Sequence, residues 1–382
     1  MSETILTLNI GSSTIKFALY DHTGRQQKLR GEIDHIDTTP VFSVNGGVVA
    51  HPPSGATADL VAWILDWIAK NHPGDNLVAV GHRVVHGGRR YQAPTILDDE
   101  VMAYLSSLVS LAPLHQPHNL AGIRAVTAHR PELLQVACFD TAFHRTQPRV
   151  AELYALPRAL SEEGVIRYGF HGLSYDYIAG ILPEHAGARA DGRVIVAHLG
   201  AGSSLCAMKN RQSVATTMGF TALEGLPMAS RTGALDPGVL LYLLSEKGYD
   251  ATALEMLLYR QSGLLGLSGI SGDMRTLLAS QDPRAKEAIA VYCYQISRWI
   301  GSLAAAVGGL DVLVFTAGIG ERAAAIRAKV CEAARWLGVK IDPVLNVQNE
   351  INISVADSQV AVLVLPTDEE SVIARAAVSQ MS

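Results

Sequence analysis

Six short apolar runs in this 382-residue chain each end on a polar or glycine-rich cluster. The clusters fall at residues 9–16, 82–88, 140–144, 198–204, 318–321 and 367–370. Any one of them is compatible with an ordinary turn, because Gly, Ser, Asn and Asp are common turn residues. Open α/β sheets, however, bind ligands beyond the carboxyl ends of their strands. Six clusters at corresponding positions therefore predict a sheet-built binding site. Two of them sit inside hairpins of the same kind, strand–GSST–strand near residue 12 and strand–GAGSS–strand near residue 202. That likeness predicts two similar halves, each with its own phosphate loop. Glycine lets an anion approach the backbone, and hydroxyls and exposed amides can donate to phosphate oxygens.

Between the apolar runs the spacing is helical. Residues 60–70 repeat apolar side chains every three or four positions, as an amphipathic helix does. Further helices are predicted at 98–111, 120–129, 174–182, 236–246, 251–259 and 323–337, with a short one closing the chain. Residues 285–307 carry a buried helical stripe that stops at Gly308 and Gly309, glycine being a common helix terminator. Strands are predicted at 5–8, 15–20, 77–80, 135–139, 194–197, 205–208, 312–315 and 360–365. Pro113 and Pro117 frame a rigid loop before Asn119, 219–233 is a long loop, and 316–321 is read as a loop.

Composition narrows the class. A 48% hydrophobic and 18% charged chain is globular, since disordered chains bury too little apolar surface to fold. Its length suits two domains. The formal net charge of −5 gives no support for general nucleic-acid or anionic-membrane binding. The apolar stretch 300–320 is interrupted by Gly308, Gly309 and Asp311, so it reads as a helix end and a strand, not as a membrane span. Cys138, Cys206, Cys293 and Cys331 lie far apart without CxxC spacing, which fits small buried hydrophobes in a reducing compartment. Residues 1–9 lack a basic region, so no signal peptide and a cytoplasmic location are expected.

The runs LNIGSSTIKFALYD, GHRVVHGG, LAPLHQPHN, FDTAFH, YGFHG, HLGAGSS, GFTALEGL, SRTG, SGDMR, FTAGIGE and PTDEE occur in this order from residue 8 to residue 370. Together they resemble the acetate/propionate kinase family. The resemblance implies an α/β fold of two domains with duplicated ribonuclease-H-like (actin-like ATPase) topology and the active site in the interdomain cleft. It places residues 1–142 plus 370–382 in an N-terminal domain and 143–369 in a nucleotide-binding C-terminal domain. It further implies a homodimer and a reversible, Mg²⁺-dependent transfer between ATP and acetate that gives acetyl phosphate and ADP. Mn²⁺ is expected to substitute for Mg²⁺.

Residue roles follow from the same resemblance. Arg83 and Arg231 are expected to clamp the carboxylate and the transferring phosphoryl group, which guanidinium forks match in shape. His171 would donate to the charge on that group. Asp140 and Glu369, with Asn9, would hold Mg²⁺ through hard oxygen donors and waters. Asn9, Ser12, Thr14 and Lys16 fit the first phosphate loop; His198, Gly200, Ala201, Gly202 and Ser203 fit the second. Gly318, Ile319 and Gly320 fit the adenosine loop, with Asp273 and Arg275 beside the nucleotide. Val85, Leu114, Phe170 and Ala222 would wall the acyl pocket. Acetate is already ionised at neutral pH, so no protein base is needed.

The chain departs from the family pattern at four places. Ala201 stands where Asn is usual, removing a side-chain amide from the phosphate loop. Ala222 replaces a Pro, Thr14 a Ser, and Asp368 an Asn. Two other readings remain open at this stage. A propionate kinase differs by one methylene of pocket, worth only ~1–3 kcal/mol. A non-catalytic ATP-binding regulator on the same fold would have no use for Arg83, Arg231, His171, Asp140 and Glu369.

Overall fold

The computed structural model describes residues 2–381 apart from Ser12, Asp37, Pro53 and Leu114. Ser12 of the first phosphate loop and Leu114 of the acyl pocket therefore lie outside the described residues. The chain divides into two compact units, Met1–Phe143 with Asp368–Ser382, and His144–Thr367.

In the first unit β1 (Ser2–Ile10), β2 (Thr14–Asp21), β3 (Gln27–Asp34), β4 (Val41–Val44) and β5 (Gly47–Ala50) form an antiparallel meander. On the other side of β1, β6 (Asp75–Val84) runs parallel to it. A short β7 (Thr95–Ile96) pairs antiparallel with β8 (Leu134–Phe139), which is itself parallel to β6. The sheet order is β5-β4-β3-β2-β1-β6-β8-β7. Alternation along β1 sends successive side chains to opposite faces. Leu6, Leu8 and Ile10 enter the core that also buries Leu60, Ile64 and Val126, from helices Thr57–Asn71 and Gln116–His129. On the opposite face Gly81 meets Ile373 of the helix Glu369–Ser379. A Cβ at Gly81 would lie 2.4 Å from the Ile373 Cγ2 and 3.1 Å from its carbonyl.

The second unit repeats the plan. Its strands β9 (Val194–Leu199), β10 (Ser203–Lys209) and β11 (Gln212–Thr216) are antiparallel, and β12 (Val312–Thr316) and β13 (Ala361–Val364) continue in parallel. The order β11-β10-β9-β12-β13 matches β3-β2-β1-β6-β8 strand for strand and direction for direction. This is ribonuclease-H-like topology present twice, and it makes the two hydroxyl-rich hairpins equivalent. The helix Pro283–Val307 packs on this sheet and buries Ile289, Tyr292, Ile296 and Leu303. Asp282 caps its start by accepting from the Arg284 amide, and Gly308 ends it in the left-handed region at φ 80°. Both are the expected helix boundary devices.

Several boundaries differ from the sequence expectation. β6 runs on through His82, Arg83 and Val84, because β8 continues the ladder opposite them (Arg83 pairs with Cys138). Pro117 does not belong to a loop; it lies in the first turn of Gln116–His129, where a missing amide costs nothing. Most of 316–321, expected as a loop, lies in a short helix Ala317–Arg322. β11 has no counterpart in the expectation. Among the described residues no helix is long and apolar enough to cross a membrane, and the four cysteines are buried.

Two tests follow from this packing. Gly81→Ala is expected to lower the unfolding free energy by about 1–3 kcal/mol, read from urea titration. Burial pushes both His82 and His144 from 6.5 down to about 4. Their neutral forms are favoured only in the folded state, so their contribution is intact above pH 6.5 and is lost progressively as pH falls toward 4. Urea midpoints measured at pH 7.5, 5.5 and 4.5 are expected to decline in that order.

Candidate active site

In the first unit the ends of three neighbouring strands and one helix bring four predicted residues together. Arg83 near the end of β6 faces Asp140, the residue after β8. Its Nη2 lies 2.6 Å from Asp140 Oδ2, and its Nε donates to Oδ1 at 3.1 Å. Arg83 Nη1 donates to Asn9 Oδ1 at 3.1 Å and stands 3.9 Å from Glu369 Oε2, at the first residue of the last helix. The Asp140 side chain is 2% exposed and that of Arg83 is 22% exposed. Burial opposes the charge on Arg83, but Asp140 and Glu369 outweigh it and hold the guanidinium protonated beyond its ordinary range. Burial likewise pushes Glu369 up to about 7, with Asp140 and Glu370 adding to the effect against the pull of Arg83 and Lys16.

That crowding of negative charge bears on the metal. Among the described residues no group of three or more His, Cys, Asp or Glu is arranged to hold an ion. The donors present are two carboxylates and the Asn9 amide oxygen. An incomplete, all-oxygen set of this kind fits Mg²⁺, which keeps several waters and takes one or two carboxylates. Burial and the neighbouring carboxylates push the Glu369 carboxyl up, so added positive charge is favoured there.

The other members of the first set are less engaged. Thr14 closes the hairpin through its carbonyl, which accepts from Gly11 N at 2.8 Å. Val85 is buried, and its amide donates to Asn119 Oδ1 at 3.0 Å, while Asn119 Nδ2 donates to the Ile10 carbonyl at 2.8 Å. Gln116 bonds both the amide and the carbonyl of His86. Asn119 and Gln116 thus fix the turn after β6 relative to β1. Sequence reasoning gave neither of them a role, although both lie in the LAPLHQPHN run; a polar amide inside an otherwise apolar helix face was the available signal.

In the second unit His171 precedes the helix Gly172–Ala186 and takes a left-handed φ of 59°. Its Nδ1 lies 2.8 Å from Ser204 Oγ, which also bonds the Tyr175 hydroxyl. Its ring stacks on His198 at 4.1 Å, and His198 Nδ1 lies 2.8 Å from Ser174 Oγ. A Cβ on Gly202 would come within 3.2 Å of His171 Nε2, so the glycine turn after β9 lies against that nitrogen. Ser203 Oγ donates to the Gly200 carbonyl at 3.1 Å and holds the turn.

Gly200, Ala201, Asp273, Arg275, Gly318 and Ile319 line one cavity of about 520 Å³, a usual size for a ligand pocket. Gly320 and Gly202 are not among its lining residues. Asp273 caps the helix Met274–Ala279, and the bond from Arg275 holds its carboxyl down to about 2. Arg322 also lines the cavity and was missed, although it directly follows the FTAGIGE run. Arg231 Nη1 donates to the Ala222 carbonyl at 3.1 Å. Phe170, expected in the acyl pocket, is 2% exposed, and its carbonyl accepts from His144 Nε2.

Removing Arg83 would strand a buried carboxylate. Arg83→Ala is expected to cost about 3 kcal/mol of stability at neutral pH, because an unpaired buried charge is left behind. Arg83→Ala combined with Asp140→Asn is expected to recover most of it, with urea unfolding of the two variants as the measurement.

Comparison with known proteins places the chain in a family. The model of the acetokinase family matches residues 4–375. Proteins named acetate kinase from Rhodopseudomonas palustris and Rhizobium meliloti are 55% and 47% identical to the chain. Each alignment covers 98% of this chain, and 98% and 97% of the respective relative. A propionate kinase structure from Francisella tularensis superposes with a TM-score of 0.92 at 36% identity, covering 98% of this chain and 99% of its own. The Porphyromonas gingivalis acetate kinase structure gives 0.89 at 35% identity over 100% of both chains. The chain belongs to the acetokinase family.

Proposed function

We propose that the protein is an acetate kinase that moves the γ-phosphoryl group of ATP to acetate, reversibly, giving acetyl phosphate and ADP. The observation that carries this reading is Arg83, a guanidinium held in place by Asp140 and Asn9 on a chain that matches the family across residues 4–375. Phosphoryl transfer asks the protein mainly for positioning and charge stabilisation, and both arginines are set up for that. Arg83 is aimed by the carboxylate behind it, and Arg231 by the Ala222 carbonyl. Acetate arrives ionised and attacks phosphorus in line, so no side chain has to take a proton from it.

His171 has a defined proton in this scheme. If the Tyr175 hydroxyl donates to Ser204 and Ser204 donates to Nδ1, the imidazole carries its proton on Nε2. The other nitrogen's hydrogen bond sets the tautomer, and Nε2–H becomes the donor to the transferring oxygens. Asp140, Glu369 and Asn9 would hold Mg²⁺, which when bound neutralises phosphate charge. The cavity at Ala201, Asp273 and Ile319 is the proposed seat of the nucleotide. Backbone amides and Ser203 remain at the second phosphate loop where Ala201 lacks an amide side chain.

A homodimer is part of the same reading. The helices Pro237–Glu246 and Ala251–Arg260 bury no residue within the chain. They expose Val239, Leu241, Tyr242, Leu244 and Met256, an apolar surface of the kind that marks association. A cytoplasmic location accords with the buried cysteines.

Acyl-hydroxamate formation from acetate with Mg-ATP tests the reaction. Wild type is expected to turn over, and Arg83→Ala to lose on the order of a hundredfold or more in kcat. Ala201→Asn is expected to lower the KM for ATP by about threefold to tenfold. A higher kcat/KM for propionate than for acetate would move the assignment to propionate kinase. For the dimer, light scattering is expected to give the mass of two chains for wild type and of one for Leu241→Asp.

A further inference from the structure

Three stretches that are remote in sequence meet in the second unit around one carboxylate. Glu224 Oε2 accepts from the Tyr154 hydroxyl at 2.6 Å and forms an ion pair with Arg167 Nη1 at 2.9 Å. The Arg167 guanidinium lies over the Tyr154 ring, 4.9 Å from its centroid. The Tyr154 oxygen in turn accepts from the Phe220 amide at 2.8 Å. Gly219 is required for this meeting, since a Cβ there would lie 1.8 Å from Glu224 Oε2 and 2.1 Å from the Tyr154 oxygen. Burial pushes the Tyr154 phenol above its ordinary range, so it remains a hydrogen-bond donor at neutral pH.

The cluster pins the two ends of the stretch 219–225 and leaves 221–223 between them. Ala222, in the middle, supplies the carbonyl that accepts from Arg231. The same stretch holds the approach to His171, because the Gly219 carbonyl accepts from the amides of Tyr168 at 2.9 Å and Gly169 at 3.3 Å. We propose that Tyr154, Glu224 and Arg167 are positioning residues that set where Arg231 stands, and so govern binding of the small carboxylate acceptor. The proposal rests on the acetate kinase reading for its kinetic consequence. None of the three residues touches the nucleotide cavity, so its signature is a split between the two substrates.

The test uses Tyr154→Phe, which removes one hydroxyl, and Glu224→Gln, which keeps an acceptor for Tyr154 but removes the ion pair. In both variants the KM for acetate is expected to rise about tenfold while that for ATP stays within about twofold. Hydrogen–deuterium exchange is expected to quicken at residues 219–225 and to stay unchanged in β9 and β12. Equal rises in both KM values, or unchanged exchange at 219–225, would overturn the proposal. Wild type inactive toward every short carboxylate would refute the functional reading instead, and the exchange result would still decide the positioning claim.

Discussion

The pairing of Arg83 with Asp140 ties chemistry to architecture. The two residues stand at the ends of adjacent parallel strands, β6 and β8, and reach each other only because those strands are in register, with Arg83 opposite Cys138. Neither is stable there alone. The aspartate is buried almost completely, and the arginine keeps its charge in a partly buried place because the carboxylates surround it. A pair of this sort adds little net stability over apolar residues of similar size, yet breaking it is costly. Its value lies in orientation: Asp140 fixes the Nε–Nη2 edge of the guanidinium, and Asn9 accepts from Nη1.

The second unit shares the strand order but not the residues that follow its strands. Those groups are hydroxyls, imidazoles and glycines instead of an ion pair. His171 is held by Ser204 on one side and by the His198 ring on another. Its left-handed backbone is uncommon for a residue with a side chain and carries some strain. The hairpin turn 200–202 lies directly against it. A duplicated scaffold thus carries an ion pair after the strands of one half and hydrogen-bonded hydroxyls, imidazoles and glycines in the other.

Much of this was legible in the sequence where the signal was local. Strands that end in polar clusters, the glycine stop at Gly308, and the likeness of the two hairpins are all short-range patterns, and each maps onto a structural element. What was not legible depended on partners far along the chain. β6 extends through Arg83 because β8 continues opposite it, and no local feature of residues 82–84 distinguishes a strand from a turn. The helix Ala317–Arg322 looks like a loop because two glycines in six residues lower helix propensity, while packing against β9 and β12 overrides it. Tyr154 and Glu224 were invisible as structural organisers, since Tyr154 reaches Glu224 across 70 residues of chain.

The helix Glu369–Ser379 has a consequence for how the molecule is made. It packs on β1, β6 and β8, strands translated long before it. As the polypeptide leaves the ribosome, Arg83 and Asp140 can meet early, but the sheet face over Gly81 stays open to water until Ile373 emerges. All of the second unit is synthesised in that interval. The first unit therefore keeps that face uncovered until the whole second unit has been synthesised. Domains otherwise tend to fold in order of synthesis; here the earliest strands are the last to be sealed.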